Sequence, residues 1–373
     1  MHTLSASPFL GEYVVLRPGY EQGLRVPARA YRQLAHADAT GAAVPAWLRT
    51  AASDAWGIDA GRDPVGSVVK VREESSAGYA RASWEINLGC NDNCEHCYLP
   101  ERPFQGLPFA DKERLLRRIA ESGVLWLQIT GGEPLVDLDF PDAYTLAFEL
   151  GMMIQISSNG SRLTNPRILD LLMSLRPYRL TLSVYGVSEE TYDGLTRTRG
   201  AYKAFRRGLD AAREAGLPLR LNTIVTRHNQ HEADAMRALA ERYGAAGLEY
   251  VNITPTYNGD ADVLAAQAER KLRPRKPFTG CNAGITHFHA DPMGLVSICK
   301  IGRDPQFDLL NDGLGALAKL SAVADSLMLR TGGCSGCALS ATCGTCRPMA
   351  KVYQEATAPL SYYCQHGKAK AHG

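Results

Sequence analysis

The chain has 373 residues, 45% hydrophobic and 21% charged, which excludes disorder as the main state. At about 150 residues per domain, this length predicts two or three domains. Lysine and arginine number 41 against 39 aspartate and glutamate, a net charge of +2 that gives no electrostatic footprint for nucleic acid or an anionic membrane. No run reaches the ~18 apolar residues of a membrane span. Residues 1–10 lack a basic segment followed by an apolar core, so the expected location is the cytoplasm.

Residues 1–80 read as a small α+β region. Tyr13-Val14-Val15-Leu16 and Gly23-Leu24-Arg25-Val26 predict strands, and residues 27–36 and 45–56 predict short helices. Residues 57–78 have loop proportions of Gly, Asp, Pro and Ser and read as a linker. From Ser83 the pattern becomes a strand–helix alternation, with strands expected over 84–88, 125–130, 152–157, 179–184, 219–225 and 249–254. Between them, Asn165-Pro166 opens one helix, and Tyr202, Phe205, Leu209 and Ala212 share one face of another. Met236, Leu239, Ala240 and Tyr243 line a third, with Asn229 and Glu232 as its start signal and Gly244 as its stop. Six strands joined by helical crossovers imply a parallel sheet, short of an eightfold barrel. The fold class is therefore α/β, a partial (β/α)6 TIM-like barrel over residues 81–269. The charged run at 270–277 reads as a solvated linker into a loop-rich, cysteine-rich region, residues 270–373.

Ten cysteines are too few for a disulfide scaffold in a chain this long, and they are clustered, which favours metal ligation in a reducing compartment. Cys90-x3-Cys94-x2-Cys97 follows the first barrel strand at its C-terminal end, where barrel active sites assemble. Three thiolates on one loop can hold three irons of a four-iron cluster and leave the fourth iron open. Zinc, with His96 as fourth ligand, is the alternative.

This pattern resembles the radical S-adenosylmethionine (SAM) enzymes, whose signature is Cys-x3-Cys-x2-Cys after the first strand of a partial sixfold barrel. Further positions match. His96 occupies the slot before the third cysteine, near the SAM adenine in relatives. Thr130-Gly131-Gly132-Glu133-Pro134 ends the second strand as the family's Gly-Gly-Glu motif does. Glycines there would let a ligand approach the backbone, and Glu133 would pair with the methionyl ammonium. Ser158-Asn159-Gly160 and Ser183 fall at two further SAM positions, and Arg197 or Arg199 lies near the place of an arginine for the SAM carboxylate. The resemblance implies SAM and one [4Fe–4S] cluster as cofactors, and an electron donor such as flavodoxin or ferredoxin.

The remaining cysteines resemble a SPASM domain, an extension carrying auxiliary clusters. By that resemblance Cys334, Cys337, Cys343 and Cys364 hold an outer [4Fe–4S] cluster, and Cys281, Cys299 and Cys346 an inner one. Cys343-x2-Cys346 departs from the family's usual three-residue spacing. Seven cysteines fall one short of the eight ligands that two clusters need. The missing position counts to His287, so either this imidazole ligates or the inner cluster keeps an open iron. Sulfatase-maturing relatives carry an aspartate base directly after the position of Cys299. Here it is Lys300, whose cationic ammonium cannot accept a proton, and which is a candidate for binding a carboxylate or raising a cluster potential.

SPASM relatives mostly modify peptides, and many carry an N-terminal leader-binding domain of three strands and three helices. The resemblance therefore implies a maturase acting on a ribosomally made precursor peptide, giving a crosslink or another oxidative change, with residues 1–80 as either a leader-binding region or an accessory N-terminal cap. A SPASM enzyme acting on a small molecule is the alternative. A zinc-stabilised binding protein without catalysis is the reading from a different class. It is weaker because zinc ribbons separate their cysteine pairs by ~15–20 residues.

Overall fold

A computed structural model describes residues 2–268, 281–328, 334, 337 and 343–364. The 270–277 linker expectation lies outside them. The chain begins with a four-stranded sheet of order β3-β2-β1-β4, made by β1 (Leu4–Phe9), β2 (Glu12–Leu16), β3 (Gly23–Val26) and β4 (Val69–Val71). The first three strands are antiparallel, and β4 returns parallel to β1. Three helices, α1 (Ala28–Thr40), α2 (Ala46–Trp56) and α3 (Val65–Val68), each start after a proline. Proline has no N–H to leave unpaired at a helix start. Tyr31, Leu34 and Ala37 on α1, and Leu48, Ala52 and Trp56 on α2, recur at helical spacing and form a core with Leu4, Val15 and Val65.

This corrects the linker expected over 57–78. Val65, Val68 and Val69 are buried, and they make α3 and β4 part of the N-terminal sheet unit. The turn-forming composition of 57–64 masked two short elements. Arg72 then pins the unit to the rest of the chain. Its buried guanidinium donates to Ser7 Oγ at 3.1 Å, to the Val124 carbonyl at 2.7 Å and to the Ala120 carbonyl at 3.2 Å. Val14 and Leu16 pack on Leu125 and Met153 beside it.

A nine-stranded sheet follows. Its first six strands are β5 (Arg81–Glu85), β6 (Trp126–Thr130), β7 (Met153–Ser158), β8 (Arg179–Val184), β9 (Leu219–Ile224) and β10 (Ala246–Tyr250), each parallel to the next. Helices α4 (Phe109–Glu121), α5 (Phe140–Glu149), α6 (Pro166–Ser174), α7 (Glu189–Thr196), α8 (Ala201–Glu214) and α9 (Ala233–Arg242) form the crossovers. This is the expected half-barrel, and the period-2 pattern sets its two faces. Leu127, Ile129, Ile154, Ile156, Leu180 and Leu182 pack with Phe205 and Leu209 of α8 and Met236 of α9 in the main core. Residues of the alternate set are polar and neighbour one another across the register: Ser83 opposite Gln128, Glu85 opposite Thr130, Ser157 opposite Thr181, Ser183 opposite Asn222.

Three details differ from expectation. The last barrel strand ends at Tyr250 instead of running to 254, because Ile253 leaves the sheet to pack with Tyr353 and Tyr363. Glu232 does not cap α9 with its side chain. Its carboxylate accepts from Val187 N, Ser188 Oγ and Thr191 Oγ1, tying α9 to the start of α7. The region after 280 is more than loop: β11 (His287–Ala290) adds parallel to β5, and β12 (Leu295–Ser297) and β13 (Phe307–Asp308) continue antiparallel. These strands are four, three and two residues long, too short for alternation to register. Among the described residues, no helix is long and apolar enough to cross a membrane.

Arg72→Met would leave two carbonyls and a serine hydroxyl without their donor, and should lower unfolding stability by roughly 2–4 kcal/mol in urea titrations. A change below about 0.5 kcal/mol, the size of an ordinary surface substitution, would mean the pin contributes nothing.

Candidate active site

The site begins where β5 ends. The loop carrying Cys90, Cys94 and Cys97 turns over the C-terminal edge of the sheet and is fixed from three directions. From β6, Gly132 N donates to the Asn87 carbonyl at 3.1 Å and Glu133 N to the Gly89 carbonyl at 2.8 Å. A Cβ at Gly132 would stand 2.2 Å from the Gly89 oxygen and 2.3 Å from that of Leu88. Gly131, at φ +148°, would place one 2.6 Å from the Asn87 oxygen. What approaches these glycines is therefore the cysteine loop's own backbone, which is a different reason for glycine than the ligand approach expected from sequence.

From β7, Asn159 Nδ2 donates to Asn91 Oδ1 at 3.1 Å and to Asp92 Oδ2 at 2.9 Å. From α7, the Thr196 and Leu195 carbonyls accept from Asn93 N and Glu95 N at 2.9 and 3.2 Å. Glu133 ties the first two supports together. Its buried carboxylate accepts from Ser158 Oγ at 2.7 Å, Leu135 N at 3.0 Å and Asn159 N at 2.6 Å. Burial raises its pKa to about 7, against the pull of these hydrogen bonds, and burial likewise lifts Asp92 to about 6.

The three thiols lie within electrostatic reach of one another, and burial raises all three pKa values, Cys90 to about 12. Cys94 and Cys97 line an open cavity of about 800 Å³ together with Arg102, Arg197, Asp260 and Tyr362. His96 packs 5.1 Å from the Tyr185 ring, its Nδ1 has no hydrogen-bond partner, and burial lowers its pKa to about 4. Ser183 lies near Tyr185, and its carbonyl accepts from Tyr192 Oη at 3.4 Å. Arg197 ends α7 in the left-handed region, 3.9 Å from Glu95, and is exposed; Arg199 is exposed as well.

The C-terminal cysteines separate into two neighbourhoods. Cys299, whose sulfur accepts from Gly302 N at 3.2 Å, is within reach of Cys281. Cys334 and Cys364 flank Tyr363, whose carbonyl accepts from Thr345 Oγ1 at 2.7 Å, two residues after Cys343. Cys337 is among the described residues, and Cys346 directly precedes the helix Arg347–Glu355. His287 lies in β11 opposite Arg81, and burial lowers its pKa to about 4, with His289 and Arg81 adding to the effect.

Sequence reasoning missed a polar cluster inside the barrel. Glu85 is fully buried; Arg303 donates to its Oε1 at 2.6 Å and Oε2 at 3.0 Å, and Tyr98 Oη to Oε1 at 2.7 Å. Burial pushes the Glu85 carboxyl up, but His289 and Arg303 more than offset this and hold it below the usual range. His289 bonds Ser83 Oγ at 2.9 Å, with Nε2 3.6 Å from Glu85. Lys300 stands 5.2 Å over the Tyr98 ring. Its surface reaches solvent, yet the surrounding protein mass desolvates it and lowers its pKa. A glutamate between Trp84 and Ile86 in an apolar strand was the signal that could have found this cluster.

Residues 84–241 match the Radical SAM superfamily. The chain carries a radical SAM domain. The AdoMet-dependent heme synthase of Methanosarcina barkeri is 30% identical over 195 residues, 51% of this chain and 56% of that protein. The mycofactocin maturase MftC of Mycobacterium ulcerans is 28% identical over 247 residues, 59% of this chain and 63% of that protein. The matched stretch thus spans somewhat over half the length of these relatives. The crystal structure of Streptococcus suis SuiB bound to precursor peptide SuiA shares the fold, with a TM-score of 0.57 at 16% identity over 79% of this chain and 76% of that one.

A radical SAM domain implies SAM and a [4Fe–4S] cluster. Three thiols on one loop, within electrostatic reach of one another, are the soft donor set such a cluster takes. Among the described residues no three His, Cys, Asp or Glu side chains converge to metal-holding distance, so the fit rests on donor chemistry and not on a preformed cage.

The raised pKa of Glu133 has a sign. The folded state binds more protons than the unfolded chain between pH 4.5 and about 7. This stabilisation is complete below 4.5 and lost as pH rises through about 7, and Asp92 adds in the same sense. Glu133→Gln should flatten the decline by up to roughly 3 kcal/mol across that window. Urea unfolding of the cluster-free chain at several pH values measures it, and an unchanged slope would refute the assignment.

Proposed function

We propose that this chain is a radical SAM peptide maturase, working in the cytoplasm on a ribosomally made precursor peptide. The observation that carries the reading is the three-cysteine loop clamped over the half-barrel's C-terminal edge by the Gly131–Gly132 turn, Asn159 and the end of α7. In this reading Cys90, Cys94 and Cys97 hold the [4Fe–4S] cluster and leave one iron open for SAM. When bound, cluster and SAM supply a 5′-deoxyadenosyl radical that takes a hydrogen atom from the substrate.

Each nearby residue then has a task. Glu133 has three donors on its two oxygens, and a carboxylate accommodates about four. One position is left for the methionyl ammonium. Gly131 and Gly132, with Ser158 and Asn159, set the loop that would receive SAM, Ser183 would add a further contact to it, and His96 with Tyr185 would offer the adenine an aromatic wall. Arg197 is the candidate for the SAM carboxylate.

The two cysteine neighbourhoods support the auxiliary assignment: Cys334, Cys337, Cys343 and Cys364 for an outer [4Fe–4S] cluster, and Cys281, Cys299 and Cys346 for an inner one. His287 N donates to the carbonyl of Asn282, the residue after Cys281, at 3.0 Å, so in this reading the inner cluster either takes His287 as its fourth ligand or keeps an open iron. The domain division follows: residues 1–80 as leader-binding unit, 81–269 as barrel and 270–373 as SPASM-type domain, with a flavodoxin or ferredoxin as electron donor. Three antiparallel strands followed by three helices support the leader-binding role, with β3 as the exposed edge to which an extended peptide would add. The likeness to a heme synthase supports a second reading, a small-molecule substrate, for the same chemistry.

Anaerobic reconstitution should give a brown protein with roughly twelve irons per chain, and colourless protein holding zinc would sink the reading. Cys94→Ala should abolish 5′-deoxyadenosine formation. Cys334→Ala should reduce product more than uncoupled SAM cleavage. Adding precursor peptide should slow amide exchange over Gly23–Val26; unchanged exchange there favours the small-molecule reading.

A further inference from the structure

We infer that Lys300, beside Tyr98 at the barrel interior, is the subsite for a carboxylate on the substrate. The inference deepens the radical SAM reading and depends on it only for calling the ligand a substrate. A charge count carries it. Glu85 is the one carboxylate bonded within this polar cluster, and both its oxygens are taken, by Arg303 at 2.6 and 3.0 Å and by Tyr98 Oη at 2.7 Å. That pair is closed, and Asp291, the other carboxylate within electrostatic reach of Arg303, accepts from Met293 N, Leu295 N and Gln306 Nε2 and, among the described residues, makes no ion pair with either Arg303 or Lys300. Lys300 adds a second cation, and among the described residues its ammonium has neither an ion pair nor a hydrogen-bond acceptor. Its ring contact is the face of Tyr98 at 5.2 Å, and Glu85, already bonded twice by Arg303 and once by Tyr98, attracts it without a direct bond. A cation over a ring at that range gains about 0.5–2 kcal/mol, less than a charge-assisted bond to a carboxylate.

The position is also unlike that of an ordinary surface lysine. Lys300 follows Cys299 directly and lies within electrostatic reach of both Cys299 and Cys97, so it stands between the two cysteine groups. Its backbone is fixed by Arg303 Nε, which donates to the Lys300 carbonyl at 2.9 Å. The surroundings are aromatic. Arg303 lies 4.6 Å over the Tyr257 ring, and Tyr257 N donates to the Tyr98 carbonyl at 3.1 Å. Tyr257 and Lys300 themselves remain open to solvent. An acid with an apolar or aromatic body suits this combination: the carboxylate would complete the charge balance at Lys300, and the body would cover the exposed tyrosine. Such a carboxylate belongs either to the C-terminus of a peptide or to a small organic acid.

The test uses anaerobic holoenzyme and calorimetric titration with three probes: hydrocinnamate, N-acetyl-alanyl-phenylalanine and the C-terminal amide of that dipeptide. The dipeptide acid should bind about tenfold or more tightly than its amide. Lys300→Met should erase that difference, and Lys300→Arg should retain it. Hydrocinnamate binding as well as the dipeptide acid supports the subsite with a small acid as source; the dipeptide acid alone supports it with a peptide terminus. Equal binding of acid and amide to the wild type, a result that needs no variant to fold, overturns the proposal and leaves Lys300 as a counter-charge for thiolates at Cys97 and Cys299. Uncoupled SAM cleavage by the same wild-type preparation reports separately: its absence with acid binding intact removes the radical reading and spares the subsite.

Discussion

A fully buried glutamate organises this molecule's interior. Glu85 ends the first barrel strand with no solvent contact, a position where an unpaired carboxylate would cost several kcal/mol. The cost is offset by a two-pronged guanidinium and a phenol, and each partner comes from elsewhere in the chain. Tyr98 directly follows the third cysteine of the first loop. Arg303 sits four residues past Cys299. One carboxylate therefore fixes the first cysteine loop and the segment of the C-terminal cysteines to the same strand. Removing Arg303 would take away the ion-pair partner of a buried charge and free the segment after Cys299, whereas removing Tyr98 would free only the first cysteine loop.

The second level of order is the backbone clamp on the cysteine loop. Its supports come from β6, β7 and α7, three elements that are neighbours only because the sheet is parallel and right-handed crossovers bring successive strand ends to one edge. Glu133 links two of them. A carboxylate that receives backbone N–H groups from two loops acts as a spacer, and its raised pKa is the electrostatic cost of using a charge for that purpose inside protein. The loop's backbone is thus held by the protein's own hydrogen bonds, which is what chemistry requiring an accurately placed reactive group needs.

Much of the site was legible as residue types at fixed spacings. Thiols three and two residues apart on one loop, and a Gly-Gly-Glu at a strand end, are local patterns, and a local pattern survives in one dimension. The cluster of Glu85, Tyr98, His289 and Arg303 was not legible, because His289 and Arg303 reach the first strand across more than two hundred positions and Tyr98 reaches Glu85 across thirteen with no spacing signature. The role of the two glycines was misread for a related reason. Sequence shows that a side chain is excluded, while only the fold shows that the excluding group is the loop's own backbone.

Sequence by itself determined the half-barrel, since alternating apolar residues joined by amphipathic helices leave few other ways to bury both faces. It also determined that the cysteines form separate groups. Tertiary structure decided what short elements do. A three-residue β4 and a four-residue β11 have too few positions for periodicity to speak, and they exist because longer strands offer them partners. It decided, too, which charges inside the barrel are closed pairs. Pairing is a matter of distance between side chains far apart in the chain, and that distance is set only when the sheet has formed.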